Sequence, residues 1–99
     1  MTRLVAFTHR ARADVSDIED WLLQPGAGPT AIRRLERLRA AISGLADLPC
    51  AWPRSPGTSA RQLVCQDYRV VYRLSPDTGD NQTAGDVLIL RVFGPGQQR

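Results

Sequence analysis

Between Arg61 and Arg73 the chain reads Arg-Gln-Leu-Val-Cys-Gln-Asp-Tyr-Arg-Val-Val-Tyr-Arg, which predicts a strand, a tight turn and a second strand. In the second strand Tyr68, Val70, Tyr72 and Leu74 alternate with Arg69, Val71 and Arg73. At a period of two, one face is apolar and the other carries two guanidinium groups, one on either side of Val71. Such a sheet packs its apolar face on helices and leaves its arginines to hold something anionic. If Gln66-Asp67 is a two-residue turn, Arg61 stands opposite Tyr72 and away from Arg69; a longer turn changes that pairing, so the direction of Arg61 stays open.

The segments around this hairpin set the fold class. Arg3 to Phe7 is apolar and β-prone and predicts a first strand. Thr8 stands where a helix N-cap belongs, followed by an apolar stripe of Ala11, Val15, Ile18 and Leu22, with Trp21 widening it toward the core. That helix is expected to end at Gln24, before Pro25, Gly26 and Gly28. A second helix starts at Pro29 or Thr30, buries Leu35, Leu38, Ile42 and Leu45 with Ala31, Ile32 and Leu48 beside them, and stops at Pro49. The short connection predicts an antiparallel helical hairpin, with Asp14, Asp17, Glu19 and Asp20 of the first helix complementing Arg33, Arg34, Arg37 and Arg39 of the second. Residues 49–59 read as loop, 75–85 as a polar connection long for a hairpin, and Asp86 to Phe93 as a final strand apolar enough to be central and covered on both faces. The order is β-α-α-β-β-β, an α+β fold in one domain spanning residues 1–99.

Composition narrows the chemistry. All thirteen basic side chains are arginine, so there is no lysine for a Schiff base or a tunable general base. A net charge of +3 favours acidic partners only weakly. Cys50, Cys65 and a lone histidine, His9, offer no zinc-ligand spacing, and the cysteines are expected as reduced, half-buried thiols. No metal or cofactor is implied. No run is long and apolar enough to span a membrane and Met1 to Thr8 lacks a signal-peptide core, so a cytoplasmic protein is expected. Asp14, Asp17 and Asp20 have no matching acid elsewhere and are expected in solvent on the first helix, as are Arg33, Arg34 and Arg37 on the second; His9 is expected to be structural or inert. Trp52, beside Arg54 in a proline-rich loop, either folds over the core edge or offers an exposed anchor to a partner.

Taken in order, these segments resemble the ParE/RelE superfamily of toxins from bacterial type II toxin–antitoxin modules. The likeness covers nearly the whole chain: Ala11-x-x-Asp14-Val15-x-x-Ile18 running on to Asp20-Trp21-Leu22, then Ala31, Leu35, Ile42, Leu45 and Pro49, the Arg61-to-Arg73 hairpin, and Val-Leu-Ile-Leu-Arg91-Val. The resemblance implies growth inhibition, a place in plasmid stabilisation, and neutralisation by a cognate antitoxin whose C-terminal segment wraps the toxin. Two activities dominate the superfamily: RelE-like members cut mRNA in the ribosome without a metal, and ParE-like members poison DNA gyrase. Arg69 occupies the position of a catalytic arginine in RelE-like enzymes, with Arg73 and Arg61 as its companions on that reading. This chain departs from the RelE-like pattern in having no lysine and in ending Phe93-Gly-Pro-Gly-Gln-Gln-Arg99, where only Arg99 supplies a further base and no histidine or tyrosine follows Tyr72. Its long first helix and short hairpin loop are closer to ParE, although Phe93-Gly94 only approximates the His-Gly or His-x-Arg ending common there. The implied function is therefore blockage of DNA gyrase, with ribosome-dependent mRNA cleavage and a non-toxic interaction module as alternatives. Arg61, Arg69, Arg73, Arg91 and Trp52 are the residues expected to meet antitoxin or target.

Overall fold

In the computed structural model, which describes residues 3–94, the elements are β1 (Val5–Phe7), α1 (His9–Leu22), α2 (Pro29–Ser43), a short 3-10 turn (Gly44–Ala46), β2 (Arg61–Cys65), β3 (Tyr68–Ser75) and β4 (Asp86–Phe93). The fold is α+β, two helices and a four-stranded mixed sheet ordered β1-β4-β3-β2. The β2–β3 and β3–β4 pairs are antiparallel, and β1 runs parallel to β4. Cys65 pairs with Tyr68 across the two-residue turn, where Gln66 takes a left-handed φ of 58°, and this register sets Arg61 opposite Tyr72.

Both helices cover the same sheet face. Ile18 and Leu22 of α1, Leu35, Leu38 and Ile42 of α2, and Leu45 pack with Leu63, Tyr68, Val70, Tyr72, Leu74, Val87, Ile89 and Val92 in one core. Each fully buried aliphatic side chain here contributes about 1.5–3 kcal/mol relative to exposure. The Tyr72 hydroxyl, inside this core, donates to the Pro49 carbonyl at 2.7 Å. Burial pushes its pKa up to about 12.

Thr8 explains how the chain turns from β1 into α1. Its hydroxyl accepts the N–H of Ala11 at 3.0 Å and donates to the Leu90 carbonyl at 3.0 Å, while its own N–H donates to Ile89. α1 ends at Leu22 rather than Gln24, and β1 begins at Val5 rather than Arg3. The connection 75–85, whose order the sequence left open, is held at several points. Asn81 Oδ1 accepts the Cys50 N–H at 2.7 Å, Arg3 donates to the carbonyls of Ala84 and Ala46, and the Thr78 and Thr83 hydroxyls share a hydrogen bond.

Several expectations fail for stated reasons. Trp21 is 70% exposed. It and Val15 sit about 60° to either side of the buried stripe on the helical wheel; α2 covers the Val15 side, and no described element covers the other. Leu48 and Ile32 are also exposed. β4 is central, yet Leu88 and Leu90 are only half-buried, because the sheet face away from the helices carries no second layer of described elements. Of the charge pairs expected across the helical hairpin, Glu19–Arg39 alone forms among the described residues. Asp14 leaves the solvent set altogether, being only 6% exposed.

Candidate functional site

The outward sheet face collects the arginines. Arg69 and Arg73 of β3 are exposed on either side of Val71. Arg69 lies opposite Phe93, Val71 opposite Arg91, and Arg73 opposite Leu88. Arg91 reaches this face only because the pairing slips between Val71 and Tyr72, whose partners are Arg91 and Ile89. Leu90 is the extra residue, a bulge that reverses the alternation of β4 beyond it. Without it Arg91 would share a face with Val87 and Ile89 and point into the core.

Arg91 is held tightly. Its Nε and Nη2 donate to the two carboxylate oxygens of Asp14 at 2.8 and 3.2 Å, and the Val92 N–H donates to the same carboxylate at 2.9 Å. Burial alone would raise the Asp14 pKa, but the Arg91 and Val92 hydrogen bonds and the charges of Arg91 and Arg10 outweigh it and hold the carboxyl below its ordinary range. The guanidinium carbons of Arg91 and Arg69 lie 4.6 and 5.2 Å from the centroid of the Phe93 ring, both within cation–π reach. Neither Arg69 nor Arg73 has a carboxylate partner among the described residues.

Arg61 and Trp52 are elsewhere. Arg61 points to the helix side, where its Nε and Nη2 meet the Asp77 carboxylate at 2.9 Å each and Nη1 donates to the Trp52 carbonyl. The two side chains are 7% and 9% exposed. Hydrogen bonding to Asp77 raises the Arg61 pKa; the same bond from Arg61, against a smaller opposing effect of burial, lowers that of Asp77. The Trp52 side chain is half-buried against the core, the first of the two positions the sequence allowed it. The expected set thus divides into Arg69, Arg73 and Arg91 on the outward face and Arg61 with Trp52 behind it. Arg99 lies outside the described residues.

Chemically the outward face offers fixed positive charge and bidentate donors. Tyr68 and Tyr72 are buried on the other face, and Asp14 is an ionised acceptor bound to Arg91. Among the described residues no group of histidine, cysteine and carboxylate side chains could hold a metal ion, and no helix is long and apolar enough to cross a membrane. A second feature adjoins the free edge of β1: an apolar groove of about 320 Å³ lined by Val5, Phe7, Val15, Leu35, Leu38 and Ile42, with Arg39 and Ser43 at its rim. Sequence reasoning missed Asp14 and Asp77 as partners. Only for Asp14 was there a signal, its spacing of three from Ala11 and four from Ile18, which lies on the buried stripe.

A comparison with curated protein sequences finds no match. Among solved structures the chain is similar to one from the chromosomal ParDE toxin–antitoxin system of Pseudomonas aeruginosa, at 17% identity and a TM-score of 0.67 over 93% of this chain and 95% of that one. It is also similar to a chain of the RelBE2 toxin–antitoxin complex from Mycobacterium tuberculosis, at 23% identity and a TM-score of 0.62 over 98% and 95%. At these identities the two structures establish the fold. The family profile described as the ParE toxin of the type II toxin–antitoxin system parDE matches residues 5–98, and the chain therefore belongs to the ParE toxins of type II toxin–antitoxin systems.

Proposed function

We propose that this toxin inhibits growth by blocking DNA gyrase, that Arg69 and Arg73 meet the target, and that a cognate antitoxin neutralises it. The observation that carries the reading is the outward face itself: two exposed arginines without carboxylate partners among the described residues, on a sheet whose tyrosines are turned into the core. A surface of fixed charge binds; mRNA cleavage asks in addition for a group able to take or give a proton beside the arginines. The ionised Asp14 and the buried tyrosines do not fill that role well. An acidic antitoxin segment suits the same face by charge, and the apolar groove beside β1 offers an amphipathic segment a place to lay its hydrophobic side.

The test is pulse labelling of DNA and protein synthesis after induction of the chain alone in bacteria. An early fall in DNA synthesis with protein synthesis intact is expected, and Arg69→Ala with Arg73→Ala should abolish it while leaving the melting temperature unchanged. An early fall in protein synthesis would instead place the chain with the ribosome-dependent endoribonucleases. If growth continues unchecked, both toxic readings fail.

A further inference from the structure

The buried carboxylate of Asp14 is at the end of a short relay. It grips Arg91 through both oxygens; Arg91 lies over Phe93; and Phe93 is the direct cross-strand neighbour of Arg69, whose guanidinium lies over the same ring. Two guanidinium groups sharing one ring are within about 10 Å of each other and repel. Asp14 removes that conflict by neutralising one of them and fixing where it sits. We propose that Asp14 is a positioning residue for the arginine face, setting through Arg91 and Phe93 where the Arg69 guanidinium is presented.

The proposal rests on the reading of that face as the binding surface. Three observations support it beyond the simple fact of an ion pair. Asp14 comes from α1, whereas everything it organises belongs to the sheet, so the helix determines how the outward face is arranged. The Val92 N–H anchors the same carboxylate oxygen that receives Arg91 Nε, which leaves the carboxylate little freedom to follow a moving guanidinium. The Leu90 bulge turns Arg91 to this face in the same step that sends Val92 into the core, so the arginine and the packing are set together.

The experiment uses the full chain and two readouts. In the first, the side-chain Nε–Hε resonance of Arg69 is followed by ¹H–¹⁵N NMR, where the Phe93 ring shifts it away from the position of a free arginine. Asp14→Asn keeps an acceptor for the Val92 N–H but removes the charge, and the Arg69 resonance should move toward the free position. A purely structural Asp14 would lower the melting temperature and leave that resonance in place in the folded protein, which would overturn the proposal. Should Asp14→Asn fail to fold, Arg91→Lys retains a charge partner for Asp14 while losing the planar fork, and the same movement is expected of Arg69; an unmoved resonance again overturns the proposal.

The second readout is growth inhibition on induction of wild type, Asp14→Asn, Arg69→Ala and the double variant. Asp14→Asn should weaken inhibition about tenfold and add nothing once Arg69 is gone, the non-additivity of residues acting through one another. Additive losses would overturn the relay. A fully toxic Arg69→Ala would instead sink the reading of the face, whatever the resonance does.

Discussion

Asp77→Ala takes the carboxylate away from a guanidinium whose side chain is only 7% exposed. Arg61 keeps the Trp52 carbonyl as a partner, but the two 2.9 Å bonds to Asp77 and the neutralising charge are lost. Breaking one side of a buried ion pair costs about 3–5 kcal/mol, and the remaining carbonyl bond places this case near 3 kcal/mol. For a domain of this size that is a fall in melting temperature of roughly 12–24 °C. With a urea slope of about 2 kcal/mol/M, the midpoint should drop by roughly 1.5 M at unchanged slope. Tryptophan fluorescence is a suitable probe, because Trp52 is half-buried beside the pair whereas Trp21 is exposed and will change little on unfolding. Asp77→Asn, keeping one acceptor, should lose about half as much. Arg61→Met combined with Asp77→Leu should recover most of the deficit, since the cost lies in stranding a charge rather than in losing a favourable pair. A midpoint shift below about 0.3 M for Asp77→Ala would mean that water reaches Arg61 and would refute the reasoning.

Three further outcomes follow from the same geometry. Asp14 and Asp77 both have folded pKa values below their unfolded ones, so their stabilisation is present above about pH 4 and is lost as the pH falls through the folded values. The slope of stability against pH in that acid window should become shallower in Asp77→Asn, by less than one proton, measured by urea unfolding at a series of pH values. Tyr72→Phe leaves the Pro49 carbonyl without its 2.7 Å partner and should cost about 1–2 kcal/mol in the same assay. Gly85→Ala would place a Cβ 1.9 Å from the Ser75 carbonyl oxygen, a backbone clash that should cost about 4 kcal/mol or more and appear as loss of soluble, cooperatively melting protein.

What the sequence made legible is what local periodicity encodes. The alternation in 68–74 named the buried and exposed faces of β3 residue by residue, and the apolar run fixed β4 at Asp86–Phe93. Thr8 was recognisable as a cap because its hydroxyl acts on a backbone N–H three residues away. The rest depended on partners distant in the chain. Asp14 sits on the buried stripe, but nothing local says that an arginine from β4 will meet it there. Trp21 shows the converse, a large apolar residue whose side of the helix no other described element covers. The bulge at Leu90 is silent in sequence, since strict alternation would have sent Arg91 inward with Ile89. Arg61, whose direction the sequence leaves open, finds its partner in a loop whose path no pattern of residues dictates.

The way α1 begins also bears on how this sheet avoids aggregating. β1 ends at Phe7, paired with Ile89, so among the described residues the strand residues of β4 beyond that point have no neighbouring strand on that side. An incoming chain could extend the sheet there by hydrogen-bonding to the same backbone groups. Thr8 already occupies the carbonyls of Ile89 and Leu90, and Asp14 the N–H of Val92. The first turns of α1 therefore guard the edge: a second strand can add only after the helix has been lifted away, so loosening α1 would expose a sticky β-edge along with the core.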